Sequence, residues 1–128
     1  MTVVEPSPQP GWKPLALLFA GAGVLHFAVP GPFEAIVPRQ LGNPEPWVKL
    51  SGAMELLCAA GLAHRRTRRS AGLVSAGLLI AVFPANLDMA ARALRSSKAS
   101  PLRKALLVGR LPLQIPLVVR ALRLAGSR

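Results

Sequence analysis

The 128-residue sequence contains no tyrosine, only four phenylalanines and two tryptophans, five acidic residues, two histidines and a single cysteine. The shortage of aromatics bears on the 16 lysines and arginines, which give a formal net charge of +11. Nucleic-acid surfaces interleave basic side chains with rings on which bases stack. That interleaving is missing, so no nucleic-acid partner is expected. One cysteine, Cys58, excludes an intramolecular disulfide, a C-x-x-C thiol pair and a cysteine metal cluster, and it is expected as a small buried apolar residue. The two histidines, His26 and His64, belong at opposite ends of the apolar blocks. A haem held by two histidines is therefore not expected, nor is a metal.

Charge is scarce within the chain as well, at 16% of residues against 52% hydrophobic. The apolar residues fall into four blocks, each close to the about 20 residues that cross a bilayer, and the basic residues gather at the block ends, where they reach the interface. The expected fold is all-α, an integral membrane four-helix bundle with spans at about 14–29, 46–63, 70–92 and 104–122. Residues 12–124 form that transmembrane domain, 1–11 a disordered tail and 125–128 a basic tail. The first block lacks the positive start and small-residue cleavage site of a secretory signal. Pro30-Gly31-Pro32 is expected to stop the first helix, and residues 31–46, which mix Phe33, Ile36, Val37 and Leu41 with Glu34, Arg39 and Asn43, to lie on the membrane as an amphipathic loop. Ser70 is the expected N-cap of the third helix, and Gly77, Ala81 and Ala85 the small-residue stripe against which a neighbouring helix packs.

Four spans put both termini on one side together with the Arg65–Arg69 turn. The concentration of arginine there places that side in the cytoplasm, giving a multi-pass protein of the plasma membrane.

Polar side chains inside the spans are the informative ones, because ionisable groups in hydrocarbon cost several kcal/mol and turn inward to pair with one another. His26, Glu55, Asn86, Asp88, Arg110 and Gln114 qualify. Asp88 has a local partner in Arg92, one turn on. The other five converge on one half of an up-down-up-down bundle, with Glu55 and Arg110 the expected ion pair. They form either a structural network or a ligand pocket with Phe27, Phe33 and Trp47 as an apolar rim.

Gly23-Val24-Leu25-His26-Phe27 with Pro30, Phe33 with Ile36-Val37-Pro38, Ser51-Gly52 with Glu55 and Gly61-Leu62, Phe83-Pro84-Ala85-Asn86-Leu87 with Met89-Ala90, and Arg110-Leu111-Pro112-Leu113-Gln114 follow one another in that order. The combination resembles the DoxX-like family of small four-helix membrane proteins. The resemblance implies the four-helix membrane fold, with the family's polar positions on His26, Glu55, Asn86, Arg110 and Gln114. The family takes its name from a subunit associated with an archaeal thiosulfate:quinone oxidoreductase, and animal receptor-assembly chaperones look like distant relatives, so the fold follows from it more firmly than any activity. Paired cysteines expected of a thiol-redox member are lacking here.

The leading expectation is an accessory or assembly subunit of a membrane complex, respiratory or redox in kind, embedded in the bilayer beside a membrane-protein partner or further copies of itself, and not a stand-alone enzyme. The alternative is a membrane protein that binds a quinone or another amphiphile in its polar pocket. A small oligomeric transporter ranks third, since the chain shows no internal repeat.

Overall fold

The computed structural model describes residues 11–126, and every regular element among them is helical. Helix α1 (Lys13–Ala28) leads through a one-turn helix α2 (Pro30–Glu34) and a 3-10 turn (Arg39–Leu41) into α3 (Pro44–Ala63), followed by α4 (Arg68–Arg95) and α5 (Pro101–Gly126). The tail expected at 1–11 lies outside the described residues except for Gly11, whose carbonyl oxygen accepts a hydrogen bond from Arg120 at 3.2 Å.

Local chemistry sets the helix boundaries. Pro14 sits in the first turn of α1, where its missing N–H costs nothing. Asn43 caps α3 by accepting from the Glu45 N–H at 3.2 Å, and Pro44 follows it. Gly42 just before, at φ 78, is the only residue with positive φ among those described, a conformation that glycine adopts without cost. At α5, Ser100 Oγ accepts from the Arg103 N–H at 3.1 Å, which starts the helix at Pro101, ahead of the apolar run that suggested 104.

Helix α1 stops at Ala28, ahead of Pro30-Gly31-Pro32 as expected, and Pro30 then opens the short α2, because proline fits a first helical position. Other expectations need correction. The loop is two short turns rather than one amphipathic stretch, and Arg92 fastens it to α4 by donating Nη2 to the carbonyls of Ala35 and Ile36 at 3.3 and 3.2 Å. Ser70 is not the N-cap of α4, which begins at Arg68; Thr67 precedes it and turns its hydroxyl back onto the Gly61 carbonyl at 2.7 Å. The tail expected from 125 is helical through Gly126.

Packing follows two close pairs, α1 with α3 and α4 with α5, joined along α3 and α4. The core gathers toward the end that holds the tight His64–Thr67 turn, with Leu15, Leu62 and Leu124 at most 1% exposed. Glycine permits the close approaches: a Cβ on Gly72 would stand 2.7 Å from the Ala125 nitrogen and 2.8 Å from the Ala121 oxygen, and one on Gly52 would stand 2.7 Å from His26 Cβ. The expected stripe at Gly77, Ala81 and Ala85 is not the seam, since Gly77 has open space around it and Gly77 and Ala81 are exposed. The α4 face that meets α5 is the one carrying Gly72.

Helices α4 and α5 are long and apolar enough to cross a membrane. Of the four expected spans, α1 is apolar but only 16 residues long, and α3 has 20 residues but carries Glu45, Lys49 and Glu55. A core helix of a soluble protein is mostly buried. Only 33% of the apolar window of α4 and 11% of that of α5 is buried here.

Candidate functional site

The polar residues of the helices assemble into two separate pairs. The first lies between α1 and α3. His26, 8% exposed, directs Nδ1 at the carbonyl oxygen of Ala22 one turn earlier, 2.6 Å away. The Glu55 carboxylate brings Oε2 to 3.2 Å from the same nitrogen. That oxygen accepts no hydrogen bond, because Nδ1 directs its proton at Ala22. The two groups are therefore in close polar contact without a directed bond, their side chains only 10% and 13% exposed. Phe33 of α2 stacks on the imidazole, ring centres 3.9 Å apart and planes inclined by 22°. The glycines at 23 and 52 make this arrangement accessible, since they let α1 and α3 approach where His26 and Glu55 face each other.

The second pair joins α4 to α5. Asn86 Nδ2 donates to Gln114 Oε1 at 3.3 Å, and Gln114 Nε2 donates to the Leu79 carbonyl oxygen at 2.6 Å. Both side chains are buried, so Gln114 bridges a side chain and a backbone group of the neighbouring helix. Helix α5 carries Pro112 and Pro116 on either side of Gln114 and remains continuous.

The expected Glu55–Arg110 ion pair is not formed. Arg110 is exposed and makes no ion pair or hydrogen bond among the described residues. The physical reason is topological: α5 packs chiefly on α4, while Glu55 faces α1. Asp88 and Arg92 do pair, Oδ2 to Nε at 3.0 Å. Of the expected rim, Phe33 contacts His26, whereas Phe27 and Trp47 are 48% and 44% exposed, and Trp47 Nε1 donates to the Leu41 carbonyl at 3.0 Å. Hydropathy reasoning overlooked Ser75, a fully buried α4 residue whose hydroxyl lies beside the Cys58 thiol of α3 without a directed hydrogen bond. Serine is small and common in apolar helices, so nothing in the sequence singled it out.

An open groove of about 420 Å³ runs between α4 and α5, lined by Leu79, Ile80, Phe83, Pro84, Gln114, Ile115, Val118 and Val119. Its walls are hydrocarbon apart from Gln114, and of the five expected site residues only Gln114 borders it.

Gln114→Leu is expected to lower stability by about 1 to 3 kcal/mol, since it strands the Leu79 carbonyl and the Asn86 amide in an apolar setting. Asn86→Leu strands only one acceptor of Gln114 and should cost less. Detergent melting curves of the two variants check that order.

These features define an all-helical protein with two helices fit to cross a membrane and buried polar pairs fastening its helices in twos. The chain belongs to the family described as Domain of unknown function (DUF8561), whose model matches residues 15–125 and so takes in every helix from α1 to α5. No curated protein and no solved structure matches the chain.

Proposed function

We propose that this chain is a multi-span protein of the plasma membrane whose helices α1, α3, α4 and α5 form a DoxX-like four-helix bundle, and that it works as an accessory or assembly subunit of a membrane complex. The observation that carries this reading is the outer surface of α5. With 11% of its apolar window buried, and with Leu106, Leu113 and Ile115 each more than 60% exposed, the helix offers hydrocarbon to its surroundings over most of its length. Lipid or another helix has to cover such a face. The buried polar groups support the same reading: they meet in pairs between helices and brace the bundle rather than converging on one cavity. The Arg65–Arg69 turn, with the start of α1 and the end of α5 beside it, faces the cytoplasm in this proposal.

The groove beside Gln114 favours a second reading, an amphiphile or quinone site, because it is apolar with one polar wall residue. Purification in native nanodiscs followed by mass spectrometry separates the two. A membrane-protein partner held at fixed stoichiometry supports the subunit reading, whereas a chain without partners that retains an amphiphile, lost in Gln114→Leu while the fold persists, replaces it with the second. A cysteine placed at Thr67 and labelled from outside intact cells, with none labelled at Gly42, would reverse the orientation.

A further inference from the structure

The end of the molecule around the His64–Thr67 turn carries Lys13, Arg65, Arg66, Arg68, Arg69, Arg120 and Arg123, with no acidic residue among the described residues there. Three contacts bring these segments together: Arg69 Nε to the Ala125 carbonyl at 3.3 Å, Arg120 Nη1 to the Gly11 carbonyl at 3.2 Å, and the Arg68 guanidinium 4.8 Å from the centre of the Trp12 ring. At the opposite end Glu34, Glu45 and Asp88 offset part of the charge of Arg39, Lys49, Arg92, Arg95, Lys98, Arg103 and Lys104, two of them in ion pairs. The arginine end has no acidic partner of this kind among the described residues.

The guanidiniums there are not equivalent. Arg68 is spent on the Leu62 carbonyl at 2.7 Å, the Ala63 carbonyl at 3.4 Å and the Trp12 ring. Arg120 uses a single N–H on Gly11, and Arg123 makes no hydrogen bond or ion pair among the described residues. Those two arginines border a groove of about 390 Å³ whose other walls are Ile115, Pro116 and Val119. The five residues follow one stripe of α5, apolar for its first turns and cationic in its last, over about 12 Å at 1.5 Å of rise per residue. A free phosphate ion has no use for a hydrocarbon floor. A nucleic acid would want stacking rings, and the groove has none.

We infer that this groove is a binding site for one anionic phospholipid, its phosphate held by Arg120 and Arg123 and the start of an acyl chain lying on Ile115, Pro116 and Val119. The inference rests on the membrane-spanning reading proposed above. Guanidinium forks hold phosphate oxygens in pairs, and basic recesses at the cytoplasmic ends of spans recognise acidic headgroups. Bound lipid would offset part of the charge at this end and cover part of the bare face of α5.

The test uses the full chain in nanodiscs of phosphatidylcholine with an equal share of phosphatidylglycerol, read by native mass spectrometry. Phosphatidylglycerol should be retained over phosphatidylcholine, and the preference should fall about fivefold for each of Arg120→Gln and Arg123→Gln. Arg123→Gln is the deciding variant, because Arg123 holds nothing inside the fold. The double change R65Q/R66Q removes twice the charge of either single change from the same end outside the groove and should leave the preference intact. An equal fall in R65Q/R66Q would mean diffuse surface charge, and displacement by millimolar inorganic phosphate would mean a simple anion site; either overturns the inference. A chain that stays in the membrane without preferring phosphatidylglycerol overturns this site alone, whereas recovery from the water-soluble fraction without detergent overturns the membrane reading with it.

Discussion

Replacing His26 by leucine is expected to destabilise the folded chain by about 3 kcal/mol, the upper end of what leaving a buried polar group without its partner costs. The upper end applies because Glu55 Oε2 and His26 Nδ1 stand 3.2 Å apart with their side chains only 13% and 10% exposed. Deleting the imidazole leaves the Glu55 side chain, 13% exposed, without its partner and takes away the ring on which Phe33 stacks. The double change His26→Leu with Glu55→Leu should lose less than the sum of the two single changes, since the second substitution removes the stranded carboxylate. Arg110→Leu should be nearly neutral, because that side chain is exposed and unpaired. Chemical unfolding in detergent of the four proteins and the wild type reads the cycle. Additive losses at 26 and 55, or a large loss at 110, would mean that Glu55 is paired otherwise than in this structure.

A second large effect is expected at Gly72. Its added Cβ would stand 2.7 Å from the Ala125 nitrogen and 2.8 Å from the Ala121 oxygen, and both are backbone atoms that no rotamer change can move aside. Gly72→Ala should therefore cost about 2 to 3 kcal/mol, as overpacking does, despite the helix propensity of about 1 kcal/mol that alanine gains over glycine. Gly77→Ala, five residues along the same helix with nothing within 4 Å, isolates that gain and should be neutral or slightly stabilising. Thermal melting of the pair gives the difference directly. Equal behaviour of the two variants would show that α4 and α5 do not meet at Gly72.

The two predictions mark how far the candidate site was legible. His26, Glu55, Asn86 and Gln114 stand out in the sequence because polar groups in apolar runs are costly wherever the helices go. Their partners do not. Glu55 has a histidine and an arginine available to it, and one-dimensional spacing weighs both alike; the choice falls to His26 because Gly23 and Gly52 draw α1 and α3 together while α5 packs on α4. The helix seam was misjudged for the same reason. Both Gly72 and Gly77 belong to small-residue stretches of α4, and only the rotation of that helix about its axis decides which one touches a neighbour.

The sequence by itself determined that the chain is helical, where each of the four long helices lies to within a few residues, and which side chains carry a cost in an apolar setting, since these follow from hydropathy, proline placement and capping within one segment. Only the tertiary structure decided that α1 pairs with α3 and α4 with α5, that the polar residues form two pairs with Arg110 left outside, and that Arg120 and Arg123 share a groove with Ile115, Pro116 and Val119. Those outcomes depend on how closely two backbones approach and on the rotation of each helix about its own axis. Both are settled by contacts between segments far apart in the chain, which no local pattern encodes.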